Sequence, residues 1–94
     1  MQKYLVLVEK AESGYSSFSP DVPGCRANGK SVEQTIANMK EALESHIEVL
    51  PEMPEAKGLQ YHRNNGVFKE GGVDANCFVV HVELASKPFK LPNA

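Results

Sequence analysis

Between Ser31 and Pro51 the apolar residues Val32, Ile36, Met39, Leu43, Ile47 and Leu50 recur at spacings of four and three. At about 100° per residue they line one narrow stripe of a helix. No other part of the chain is as long or as regularly periodic, so any strands must bury an apolar side on that stripe. Ser31 suits the N-cap, and Gln34 three residues later completes a capping box. Pro51 cannot continue the helix, and Pro54 follows it. The opposite face carries Glu33, Glu41, Glu44 and Glu48, with Lys40 nearby. Glu44 and Glu48 are like charges one turn apart, a cost of roughly 0.2–0.5 kcal/mol in an isolated helix. Such a face serves solubility, and it also suits docking of a cationic partner.

Upstream of the helix, Lys3 to Lys10 (KYLVLVEK) is a β-branched and aliphatic run of strand length. Tyr4, Val6 and Val8 point one way; Leu5, Leu7 and Glu9 point the other. Both faces are largely apolar, which predicts a central strand covered on both sides. One cover is the helix. For the other, a second copy of the chain is the expected candidate, with Leu5, Leu7 and Val79 as the homodimer interface. Glu12-Ser13-Gly14 makes a turn, and Tyr15 to Ser19 returns as an antiparallel strand. Pro20 and Pro23 cannot donate ladder hydrogen bonds, so they end that strand and stiffen the turn. Gly24 to Asn28 is a short third strand, closed by Gly29 before the helix cap.

After the helix, Pro51 to Asn76 is punctuated by Pro51, Pro54, Gly58, Asn65-Gly66 and Gly71-Gly72. Within it, Leu59 to His62 and Val67 to Lys69 read as the arms of a small hairpin around Arg63 to Gly66. Cys77 to Leu84 (CFVVHVEL) is the last strand. Phe78, Val80, Val82 and Leu84 share one side; Cys77, Val79, His81 and Glu83 share the other. The expected fold is a two-layer α+β domain, β-β-β-α-β, with sheet order 3-2-1-4 and one long helix on one face. A right-handed crossover places the last strand beside the first and parallel to it. Residues 1–85 form the domain, and residues 86–94, with Pro88 and Pro92, read as a tail.

Ninety-four residues make one small domain. The net charge of −2 and pI near 5.9 do not favour nucleic-acid binding by charge alone. No apolar run is long enough to span a bilayer, so no membrane association is expected. The N-terminus passes straight into strand-like alternation, which predicts a cytoplasmic protein with Cys25 and Cys77 as thiols.

These residues look familiar in combination. The strand YLVLVEK, the turn GYSSFSPDVPGCRANGKS and the helix VEQTIANMKEALESHIEVL resemble the HicB family of antitoxins from prokaryotic toxin–antitoxin pairs. The Pro-Asp-Val-Pro-Gly-Cys turn followed by the helix is the most specific part, and the final strand matches more weakly. The resemblance implies a truncated ribonuclease-H-like fold and a protein that binds and masks a small basic HicA-like toxin that cleaves messenger RNA. Glu41, Glu44 and Glu48 are then the electrostatic part of the partner surface. Asp21, Pro23 and Cys25 supply a rigid shaped element beside them. Many such antitoxins carry a C-terminal DNA-binding domain; the ten or so residues after Leu84 are too few for one, so direct DNA binding is not expected.

Other chemistries find less support. A ribonuclease-H-like nuclease needs several carboxylates converging on divalent metals. Glu9 ends the first strand and Asp21 sits in the proline turn, but no third acid joins them. Nothing in the sequence ties Cys25 to His46 or His81 as a nucleophile and base, and Cys77 with His81 makes only two metal ligands. No enzyme activity, metal or cofactor is therefore expected. The alternative is an RNA-binding module in which Tyr61, His62, Arg63 and Lys69 stack on bases and meet phosphates.

Overall fold

The computed structural model describes residues 2–68 and 77–84. The chain runs β1 (Gln2–Ala11), β2 (Gly14–Phe18), β3 (Arg26–Gly29), α1 (Val32–Glu48), α2 (Leu59–Asn64) and β4 (Phe78–Leu84). The four strands form one sheet in the order β3-β2-β1-β4, with α1 on one face, which is the expected order and placement.

The long helix forms for the reasons legible in its sequence. Ser31 is extended at the N-cap, and its hydroxyl accepts from Gln34 N at 3.0 Å. The Gln34 side chain reaches back one residue further than a standard box and accepts from Lys30 N at 2.7 Å. Met39, Leu43 and Ile47 are fully buried against Tyr4, Val6 and Val8. Thr35 joins them inside, its hydroxyl satisfied by donating to Ser31 O at 2.7 Å. Val32, Ile36 and Leu50, read as part of the stripe, are only partly buried along its flanks.

Between β2 and β3 the chain makes two consecutive β-turns. Val22 N donates to Ser19 O and Cys25 N to Val22 O, so Pro20 and Pro23 each hold the second position of a turn, where their fixed φ fits. Gly24 takes the third position of the second turn at φ +87, a left-handed value that other residues avoid. Ser19 N then closes the whole excursion by donating to Cys25 O at 3.3 Å.

Three expectations are corrected. First, β4 runs antiparallel to β1, Gln2 facing Leu84 and Val8 facing Phe78, whereas a simple helical crossover predicted a parallel pair. The reason is the passage between α1 and β4. It leaves α1 beside Tyr4, crosses to the opposite face of the sheet and packs there before β4 begins, so the single-crossover geometry does not apply. Second, Leu59 to His62 is helical, the start of α2, and not a hairpin arm; Lys69 of the other arm lies outside the described residues, as does the 86–94 tail. Third, the second sheet face is not open. Leu5 and Leu7 are 0% exposed, covered by Phe18, Leu59, Val67, Phe68 and Cys77. They are core residues of this chain, which removes them as ready surface contacts for a second copy. Val79, on the same face of β4, remains 42% exposed.

Leu5 therefore separates the two pictures. In urea unfolding, Leu5→Ala is expected to cost about 2–5 kcal/mol, the range for truncating a packed core leucine. A change within about 0.5 kcal/mol would place it on an exposed face.

Candidate functional site

The most constrained polar cluster in the described residues centres on Asp21. Its position follows from the turn. β1 and β2 pair from Ala11↔Gly14 as far as Leu7↔Phe18, and Pro20 then takes the chain out of the ladder. Two residues earlier on β1, the Leu5 N–H points to the same side as that of Leu7 and has no strand opposite. Asp21 Oδ2 takes its place, accepting from Leu5 N at 2.8 Å. The other oxygen, Oδ1, accepts from Lys57 N at 2.8 Å and meets His62 Nε2 at 2.6 Å. The carboxylate side chain is 0% exposed and the His62 ring 11%. A buried carboxylate loses several kcal/mol of hydration; here three N–H donors replace the water.

Two more side chains of β1 extend this cluster. Tyr4 donates its hydroxyl to Pro54 O at 2.5 Å, and Gln2 Oε1 accepts from Ala56 N at 2.8 Å. Residues 54–57 are thus tied to the start of β1, and α2 follows directly onto Leu5 and Leu7. Burial pushes the Tyr4 phenol above its ordinary pKa, and the negative charge of Asp21 adds to the shift. The Cys25 thiol is also raised, by burial alone, so it is held in the unreactive protonated form.

The sequence-derived site residues separate cleanly in space. Asp21 and Cys25 turn inward, at 8% and 3% exposure, so they are corrected from partner contacts to interior groups. The physical reason is that the turn folds back on β1 and spends the carboxylate on internal donors. Pro23 stays exposed at the tip of the turn. On the outer side of α1, Glu41 and Glu48 are exposed and Glu44 is half-buried. Of the residues weighed for RNA contact, His62 is committed to Asp21, whereas Tyr61 is 47% exposed with the Lys57 ammonium 5.7 Å from its ring centre. Arg63 is exposed, and Lys69 lies outside the described residues.

Glu9 does not complete an acidic centre with Asp21. It stands opposite Ser16 toward the hairpin end of β1, whereas Asp21 sits at Leu5. Among the described residues no three His, Cys, Asp or Glu side chains are grouped closely enough to hold a metal ion. Cys25 and Cys77 belong to clusters on opposite faces of the sheet. No helix among the described residues is long and apolar enough to cross a membrane. The arrangement around Asp21 has the form of a structural junction. The accessible chemistry lies on the acidic side of α1, at Pro23 and along β4.

Comparison with known proteins places this geometry. A family model described as a HicB-like antitoxin of bacterial toxin–antitoxin systems matches residues 4–89. An uncharacterised 14.9 kDa protein of Haemophilus phage HP1 is 32% identical over 71 residues, which cover 71% of this chain and 53% of the phage protein. The chain thus spans about half the length of that relative. Among solved structures, the Burkholderia pseudomallei antitoxin HicB superposes with a TM-score of 0.72 at 20% identity, over 100% of this chain and 72% of that one. The N-terminal domain of the same antitoxin gives a TM-score of 0.72 at 19% identity, over 88% of this chain and 98% of the domain. At these identities the structures speak to the fold, and they agree with the sheet order and helix placement described above.

The Tyr4 shift gives a pH test. A phenol whose folded pKa is raised adds stability that is complete below its ordinary value of 10.0 and is lost as pH rises through the raised value. Unfolding free energy is expected to fall along this alkaline limb in the natural chain. Tyr4→Phe is expected to flatten the limb, as read by urea midpoints from pH 8 upward; an unchanged limb would contradict it.

Proposed function

Because the chain belongs to the HicB-like antitoxins of bacterial toxin–antitoxin systems, its match running over residues 4–89, we propose that it binds and neutralises a small basic toxin of the HicA kind. The family match carries this reading. The toxin's activity against messenger RNA is blocked by protein–protein contact, and this chain contributes no catalysis of its own. The surface that suits such a partner is the outer side of α1, where Glu41, Glu44 and Glu48 follow one another at helical spacing. Charge complementarity of this kind steers encounter and selects partners more than it adds affinity. Pro23 lies in a turn held by two prolines and its own backbone bonds, so it offers a shape that need not be ordered on binding.

Self-association is part of the proposal. With Leu5 and Leu7 covered, β4 still offers a second copy an exposed apolar residue on each of its sides, Phe78 at 50% and Val79 at 42%. The complex is placed in the cytoplasm, where the toxin's substrate is translated.

The test begins with a tagged copy of the chain in its source organism. A small basic protein recovered in near-equal amount is then expressed alone, where it is expected to arrest growth and cleave messenger RNA. Co-expression of the natural chain is expected to restore growth. The triple variant Glu41→Lys, Glu44→Lys, Glu48→Lys is expected to lose that rescue while keeping a native circular dichroism spectrum. Rescue by the triple variant would move the contact off α1; absence of any toxin that the natural chain neutralises would overturn the antitoxin reading.

A further inference from the structure

Residues 54–68 are attached to the rest of the chain in an unusual way. Among the described residues four hydrogen bonds tie them to the sheet and the proline turn, and each uses a side chain of Gln2, Tyr4 or Asp21. Among the described residues no backbone-to-backbone bond joins the segment to a strand or to the 19–25 turn. Its own bonds are internal: His62 N donates to Gly58 O, Asn65 N to Tyr61 O and Val67 N to His62 O. Its apolar contacts are made by partly buried side chains, Leu59, Val67 and Phe68 over Leu5 and Leu7 and Ala56 against the core on the α1 side. β1 beneath it is paired with β4 from Gln2 to Val8 and with β2 from Leu7 to Ala11.

We propose that residues 54–68 are a strap that opens as a unit of its own, with the Asp21 carboxylate as its latch. Asp21 is the one group that binds the strap twice, at Lys57 N and His62 Nε2, while its other oxygen is anchored on β1. Opening leaves the sheet and α1 paired and packed, because none of their backbone bonds runs through the strap. It uncovers the parts of Leu5 and Leu7 that lie under Leu59, Val67 and Phe68, and these continue into exposed Val79 through the Leu7↔Val79 pair. The chain thus has a closed form with one apolar face sealed and an open form in which that face is presented. Anything that prefers the open form shifts the balance by its differential affinity alone. The inference stands on contacts within the chain and is independent of the antitoxin reading.

The experiment is hydrogen exchange on the intact chain, followed amide by amide at low urea. In the natural chain Lys57, His62 and Val67 are expected to share one opening, with protection at least about tenfold below that of Val6 and Leu7 and a weaker dependence on urea. Asp21→Asn keeps the shape of the side chain but sets an NH2 group against Leu5 N–H in one orientation and against Lys57 N–H and His62 Nε2 in the other. It is expected to speed exchange of the three strap amides by about tenfold or more, and to raise binding of a dye specific for apolar surface, with the β-sheet spectrum retained. One shared protection factor and one urea dependence for strap and β1 in the natural chain would overturn the proposal, whether or not the variant folds. Unchanged strap exchange in a folded Asp21→Asn would remove Asp21 as the latch.

Discussion

A single buried carboxylate joins the parts of this domain that the hydrophobic effect alone would leave unregistered. Asp21 replaces the missing strand partner of Leu5 at the point where β2 turns away, and it fixes the segment that crosses beneath the sheet. Apolar burial is non-directional: it explains why α1 lies on Tyr4, Val6 and Val8 but not where the following chain must cross. The directional requirement of three N–H donors on two oxygens supplies that. The same requirement makes the site expensive to disturb, since loss of any one of the three donors leaves the buried charge less fully compensated.

The double-proline turn is the local device that delivers the carboxylate. With Pro20 and Pro23 each at the second position of a β-turn and Gly24 in the left-handed region, the 19–25 backbone has little freedom. Asp21 lies between the prolines and is aimed inward, while Pro23 is left at the surface. One short motif thus sets both an interior junction and an exposed tip beside the last turn of α1, where a Cβ on Gly24 would come 3.9 Å from the His46 ring. The exposed tip is thus held by the same bonds that stabilise the fold.

Much of the architecture is written in periodicity and caps. The stripe of α1, the Ser31 cap and the alternation of β1 and β4 are local or period-based signals, and each is found in the folded chain, as is the expected strand order. What local reading misses is contact across long separations. The donors to Asp21 lie 16, 36 and 41 residues away, so in sequence it looks like an ordinary turn aspartate. A signal was present: Pro20 ends β2 before it reaches the start of β1, so an N–H of β1 needs another acceptor, and Asp21 follows directly. α2 spans only six residues with no side-chain cap, too short for helical periodicity to register. Its presence is what turns β4 antiparallel and covers Leu5 and Leu7. Thr35 lies in the core although apolar periodicity omits it, because its hydroxyl bond to Ser31 O makes a polar residue acceptable there.

The central claim is that Asp21 and His62 act as one unit binding the turn to the crossing segment. A double-mutant cycle with Asp21→Ala, His62→Ala and the pair, read by urea unfolding, tests it most directly. A buried, charge-assisted contact at 2.6 Å predicts a coupling energy of about 1.5–3 kcal/mol, the double variant being far less damaged than the sum of the singles. Additivity within about 0.5 kcal/mol would mean that the two residues stabilise the fold separately, and the junction would not be the constraint on which the structure depends.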